Sequence, residues 1–186
     1  RVQKHQGDTA GAVESLSKAV QLDPDSYELR MDLAEVLLTL EEHAQAVEQF
    51  NEMVRIAPGS VYPYSMLGRL LVGMDQLDLA IEHMGKAEKL DPENPEVQRL
   101  MGVLLNQKGD ARAISYLSKS IRIRPDHPLT HLNLGDALAK VGKIDQAVEA
   151  FEKTLQLATT SGNARLAGIA RQSLQKLRRQ KESGGR

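Results

Sequence analysis

The chain carries five histidines, His5, His43, His83, His127 and His131, and no cysteine. Without a thiol there are no disulfides, no Cys-ligated zinc, no iron–sulfur cluster and no thiol nucleophile. Only His127 and His131 stand four residues apart, the spacing that lets two imidazoles share a metal on one helix face. The residues between them are Pro128, Leu129 and Thr130, so the glutamate of a zinc protease is missing. Both histidines read as packing or surface residues, and no metal or cofactor is expected. Gly68 and Gly73 have the spacing of a phosphate-binding loop, but Met74 follows where Lys-Ser/Thr is required. Glu41-Glu42 falls on a turn and reads as solvated charge. No Ser, Lys or His is set beside a base that would activate it. The residues that could do chemistry therefore point to binding, not catalysis.

Composition narrows the kind of binding. Lys and Arg number 24 against 25 Asp and Glu, so the basic footprint of a nucleic-acid-binding domain is absent. Aromatics are 3% with no Trp, thin for a platform that stacks bases or sugars. Hydrophobic residues at 41% and charge at 26% suit a folded, helix-rich chain. No apolar run approaches the roughly 18–20 residues of a membrane span, so a membrane partner is not expected. The chain begins at Arg1 without a signal-peptide pattern and is expected to be a fragment of something longer. Its compartment is unreadable.

The elements that position these residues are set by an internal repeat. Pro24, Pro58, Pro92 and Pro125 are spaced 34, 34 and 33 residues apart and close the phrases QLDP, RIAP, KLDP and RIRP. Ala12-Val13, Ala46-Val47, Ala80-Ile81, Ala113-Ile114 and Ala147-Val148 recur, each alanine followed four residues on by Leu16, Phe50, Met84, Leu117 or Phe151. In the other half of the unit Leu33-Ala34, Leu67-Gly68, Met101-Gly102 and Leu134-Gly135 recur, with Leu37, Leu71, Leu105 and Leu138 behind them. Offsets of three and four put these residues on one helix face. Each unit therefore reads as two helices and a tight turn, with small residues allowing close approach. The prolines end the second helix. Pro95 and Pro128 fall at a first helical position, and Ser26, Ser60 and Asn94 are candidate N-caps.

This pattern resembles the tetratricopeptide repeat (TPR) family, and the resemblance covers residues 1–159. It implies an all-α fold, a right-handed α-α superhelix of about 4.5 helix-pair repeats with a C-terminal capping helix. The expected divisions are a truncated repeat at 1–25 and repeats at 26–59, 60–93, 94–126 and 127–159. Three departures stand out. The large aromatic of the first helix occurs once, as Tyr64, with Arg30, Gln98 and His131 at its equivalents. The fourth unit lacks one residue around Gly109–Ala113, which should tighten its inter-helix turn. Thr159 stands where Pro is expected.

The ends differ. The truncated repeat keeps only Arg1–Gln6 of its opening helix before Gly7-Asp8, so eleven helices are predicted, that remnant included. Its apolar flank could stack copies head to tail, and self-association through the N-terminal end is one reading. At the other end Leu166, Ile169, Ala170, Leu174 and Leu177 form one apolar stripe of a capping helix at 160–182, and 183–186 should be disordered. From Thr160 onward seven Lys/Arg face one acid, Glu182. A docking patch for an acidic partner or lipid headgroups fits this, and so does a solvated cap face. The tract is neither long nor pure enough to favour docking.

In the TPR family a peptide or partner segment is held in a concave groove lined mainly by first helices. Carried over to this chain, those helices are 26–39, 60–73, 94–107 and 127–140. Removing core positions leaves Met31 and Glu35; Tyr62, Ser65, Met66 and Arg69; Arg99, Leu100, Val103 and Asn106; Leu132, Asn133, Asp136 and Lys140. Glu28, Asp32 and Leu129 fall on the same faces. The mixture of Met31, Met66, Leu100 and Leu132 with arginines suggests a protein or peptide partner with apolar anchors and some acidic residues. The family's clamp for a C-terminal carboxylate is not reproduced: Met31, Glu35 and Met66 occupy its positions. The resemblance implies a non-catalytic interaction module or scaffold. The alternatives are the TPR portion of a larger transferase- or sulfatase-like enzyme and a self-assembling scaffold.

Overall fold

The computed structural model describes the backbone of residues 2–184 and the side chains of residues 9–182. Among the described residues there are ten helices and no strand. They form two compact units, Arg1–Asp91 and Pro92–Arg186. The first unit holds α1 (Val2–Leu22), α2 (Tyr27–Thr39), α3 (His43–Ile56), α4 (Val61–Gly73) and α5 (Leu77–Leu90). The second holds α6 (Pro95–Gln107), α7 (Arg112–Ile123), α8 (Pro128–Lys140), α9 (Ile144–Thr160) and α10 (Ala164–Gly184). Helices α2–α3, α4–α5, α6–α7 and α8–α9 each pack as a pair, and α10 packs on α9.

The pairs are closed by one small-against-large contact. A Cβ placed on Gly68 would lie 2.6 Å from the Met84 side chain, on Gly102 2.6 Å from Leu117, and on Gly135 2.6 Å from the Phe151 ring. Ala34 and Phe50 fill the corresponding places in the first pair, both fully buried. The alanine–large-residue phrase of the sequence is thus a knob, and the small residue of the first helix is its hole.

The turn inside each pair is also repeated, and it recurs between α9 and α10. Glu41, Asp75, Gly109, Gly142 and Gly162 all adopt positive φ, between 59° and 77°. The next N–H reaches back five residues to a carbonyl near the helix end: Glu42 to Leu37 (2.9 Å), Gln76 to Leu71 (2.9 Å), Asp110 to Leu105 (2.8 Å), Lys143 to Leu138 (3.0 Å) and Asn163 to Ala158 (2.8 Å). This left-handed cap satisfies carbonyls that the helix end leaves open. The residue missing from the fourth unit does not alter it. The deletion is absorbed one step later, in the first turn of α7. Ala113 N–H bonds to Asp110 and Ile114 N–H to Ala111, three residues back, whereas Ala46, Ala80 and Ala147 bond four residues back. A tighter 3₁₀ turn spans the same start with one residue fewer.

Between pairs, the residues before proline, Ala57, Asp91 and Arg124, leave the helical region at φ −132°, −142° and −134° with ψ 73°, 83° and 88°, as the proline ring requires. The three residues that replace the first-helix aromatic then share one task. Arg30 Nε, Gln98 Nε2 and His131 Nε2 each meet the carbonyl of the proline six residues earlier, at 2.8 Å. All three side chains are buried, as is Tyr64. Ser26 and Asn94 cap α2 and α6 through their side chains. Ser60 stands at the N-cap of α4, but its hydroxyl lies 3.1 Å from Tyr27 Oη.

Three expectations are corrected. α1 is one helix through Gly7-Asp8, so ten helices stand where eleven were predicted. The turn elsewhere is held by two helices packed antiparallel; six residues before Gly7 do not make such a partner, and a glycine inside a helix costs only about 1 kcal/mol. Ile169 is exposed, because it sits on the row of Ser173, Lys176 and Gln180 beside the buried row of Leu166, Ala170, Leu174 and Leu177. α10 runs to Gly184, so residues 183 and 184 are helical where disorder was expected. Residues 185–186 lie outside the described residues, as do the side chains of residues 1–8, on which the expected self-association surface depends.

Candidate protein-binding surfaces

The expected groove residues divide between the two units. In the first unit, Tyr62 on α4 sets its ring edge-on against Phe50, centroids 6.0 Å apart, while 38% of the residue stays exposed. Burial raises the Tyr62 hydroxyl above its ordinary value; Glu35 and Tyr27 push it further and Arg69 opposes them. Glu35 of α2 and Arg69 of α4 are therefore near enough to act on the Tyr62 hydroxyl. Arg69 and Glu35 are exposed, and Met31, Ser65 and Met66 are half-buried. This face combines an anchored aromatic, two adaptable thioethers and opposite charges, and the small-against-large core contacts use none of it. Tyr62 is tied to the core through Phe50, so its truncation also touches stability.

In the second unit the outcome is mixed. Leu132 is 9% exposed and belongs to the core with Phe151, Leu166 and Leu177, so it is not a groove residue. Thr130 and His131, the two residues before it, are buried as well. Arg99 is engaged: Nε and Nη2 grip both Glu96 oxygens at 2.9 and 2.5 Å, and its side chain is 15% exposed. Leu100, Val103, Asn106 and Asn133 are half-buried, and Asp136 and Lys140 are exposed.

Asn106, Asp136, Lys140 and Lys176 line a pocket of about 390 Å³ together with the buried Phe151 and Leu177. Lys140 Nζ donates to the Asn106 carbonyl at 2.9 Å. Partial burial of its carboxyl raises the Asp136 pKa above the ordinary carboxylate value, while Lys140 and Lys176 pull it down. The row Ser173, Lys176 and Gln180, spaced three and four apart on α10, supplies the wall on the cap side. Sequence reasoning assigned α10 a solvated basic face; Lys176 is exposed and also lines this pocket, and the spacing of its row was the available signal.

Each histidine of the i, i+4 pair has one ring nitrogen engaged by a residue nearby in the chain. His127 Nδ1 lies 2.9 Å from Thr130 Oγ1, and His131 is bound to the Pro125 carbonyl. Among the described residues no cluster of three or more His, Cys, Asp or Glu could hold a metal. No helix there is long and apolar enough to cross a membrane.

His83 sets a pH dependence. Its ring packs on Tyr64 at 6.2 Å, and its buried Nδ1 has no hydrogen-bond partner among the described residues. Burial lowers its pKa from the ordinary 6.5, Lys86 lowers it further, and Glu82 opposes. The folded state thus resists the proton that the unfolded state accepts. Stability is complete above pH 6.5 and falls as pH drops from there toward the folded-state pKa. His127, lowered by burial, Arg124 and Arg99, acts with the same sign. Thermal melts between about pH 7 and 5 are expected to show a falling midpoint that His83→Gln flattens in part.

Among the described residues the helices stack as successive pairs, the architecture of a helical-repeat protein. Tetratricopeptide repeat family models match residues 5–70, 65–128 and 130–160. The chain belongs to the tetratricopeptide repeat family. The human protein O-mannosyl-transferase TMTC1 is 27% identical over 155 residues, covering 81% of this chain and 18% of that protein. The chain thus spans under a fifth of that relative's length. The crystal structure of MamA superposes with a TM-score of 0.78 at 23% identity, over 87% of this chain and 95% of that one. YrrB, described as a TPR protein with an unusual peptide-binding site, superposes with a TM-score of 0.73 at 22% identity, over 92% of this chain and 87% of that one. At these identities the likeness is one of fold.

Proposed function

We propose that the chain is a non-catalytic protein-interaction module that holds a peptide or partner segment against the first helices of its repeats. The observation that carries this reading is the face of α2 and α4. Met31, Glu35, Tyr62, Met66 and Arg69 are exposed or half-buried there, and the small-against-large packing that closes each pair uses none of them. Aromatic and arginine anchors dominate many interfaces, and methionine adapts to irregular partners. YrrB, of the same fold, supports peptide binding as a use of such an array. A photo-crosslinking benzoylphenylalanine in place of Tyr62 is expected to capture the partner, and the same group in place of Arg55 on α3 is not. Capture from position 55 alone would put the ligand on the other face.

A second reading rests on the similarity to TMTC1. The same array would then be one part of a longer enzyme, where it positions substrate. The full-length reading frame separates the two: long catalytic sequence outside residues 1–186 favours the second.

A further inference from the structure

Of the proposed groove residues, Asn106, Asp136 and Lys140 share a pocket with a wall that the groove reading did not include. That wall is α10. Asn106 comes from α6, Asp136 and Lys140 from α8, and Lys176 from α10, over the Phe151 and Leu177 floor. Lys140 is held in place by the Asn106 carbonyl. Lys176 makes no hydrogen bond or ion pair within the described residues. Asp136 likewise closes no ion pair with either lysine, though both act on its charge. The carboxyl and the two lysines thus line the pocket without closing an ion pair there.

The wider charge has the same sign. Residues 92–186 carry sixteen Lys/Arg and nine Asp/Glu, whereas residues 1–91 carry eight and sixteen. A recess with a low-dielectric floor inside a basic unit concentrates positive potential. Its occupant must bring an acceptor charge to the rim and an apolar group to the floor.

We propose that the pocket between α8 and α10 takes a carboxylate carried beside an apolar side chain, held by Lys176 and Lys140 with the apolar group on Phe151 and Leu177. This rests on reading the first-helix faces as partner-binding and assigns the partner's acidic anchor to the cap end. The carboxylate can come from an Asp or Glu side chain or from a chain terminus. Asp136 then opposes the ligand, so the two charged walls have opposite effects on affinity. A merely solvated cap face gives no such pair of signs.

The test is a two-dimensional NMR titration of the full chain with three probes: N-acetyl-Leu-Glu-amide, N-acetyl-Leu-Gln-amide and N-acetyl-leucine. At least one of the two acids is expected to shift the amide resonances of residues 136, 140, 173 and 176, and the Gln probe is not. The acid that shifts them at lower concentration identifies the source of the carboxylate. Lys176→Gln is expected to weaken the effective acid about threefold to tenfold, and Asp136→Asn to tighten it about twofold. Equal response to the Gln probe, no response to either acid, or an unchanged titration in Lys176→Gln would overturn the proposal. An intact partner affinity in Lys176→Gln beside a loss in Arg69→Ala removes the pocket and leaves the groove. A pocket that answers the acids while Arg69→Ala leaves partner affinity untouched does the reverse.

Discussion

Gly135→Ala is expected to destabilise the second unit, and Gly68→Ala to be nearly neutral. The added methyl at Gly135 meets three atoms of the Phe151 ring, at 2.6, 2.8 and 2.9 Å. An aromatic ring that shares one buried core with Leu132, Leu166 and Leu177 has no flexible end to bend away; it must shift as a body. Overpacking of this kind costs about 1–3 kcal/mol, against a gain of up to about 1 kcal/mol from replacing a helical glycine. At Gly68 the methyl meets Cγ and Sδ of Met84, both at 2.6 Å, and an unbranched thioether can turn aside. There the two contributions nearly cancel. Gly102, opposed by the branched Cγ of Leu117, should fall between. Thermal melts of the three variants rank them; Gly135→Ala melting at the wild-type midpoint, or above Gly68→Ala, would mean that the hole is not what closes the pair.

Leu174→Ala is the second large effect. Leu174 is buried in the cluster that joins α10 to Phe151 and Ala147 of the last repeat. Removing a well-packed leucine costs about 2–5 kcal/mol. In a repeat array each element is held by its neighbours, so the loss acts first on the unit it covers. Hydrogen exchange is expected to speed up across residues 144–158 of α9 before it does in α6. Unchanged protection in α9 would show that α10 does not stabilise the last repeat.

How much of this was legible in the sequence depended on whether a position belongs to the repeat. The prolines, the alanine–large-residue phrases and the small residues at 68, 102 and 135 recur in register, and recurrence reveals which face is buried. The exchange of an aromatic for Arg30, Gln98 and His131 was visible as three departures. Their common partner, a proline carbonyl six residues back, was not, because that contact depends on how the backbone turns between one pair and the next. Leu132 failed because groove and core positions lie one residue apart on α8, and apolar type alone cannot separate them. Arg99 was legible as an anchor, but the Glu96 three residues before it holds its guanidinium. The pocket at α10 was hidden because that helix has no counterpart in the repeat, so its rotation against α8 has no second copy to read it from. Ile169 missed for the same reason.

Calorimetric affinity for a partner captured by the intact protein, compared between Arg69→Ala and Arg55→Ala, addresses the proposed groove most directly. Arg69 is exposed on α4 beside Tyr62 and makes no hydrogen bond or ion pair among the described residues. Arg55 is exposed on α3 and bonded to Glu52 at 2.9 Å and Asp25 at 2.5 Å. Both substitutions should leave the fold intact. Arg69→Ala is expected to weaken binding by about 2 kcal/mol, the scale of an interface hot spot, and Arg55→Ala to leave it within error of wild type. Loss of affinity in Arg55→Ala with none in Arg69→Ala would contradict the account and move the binding surface to the second helices.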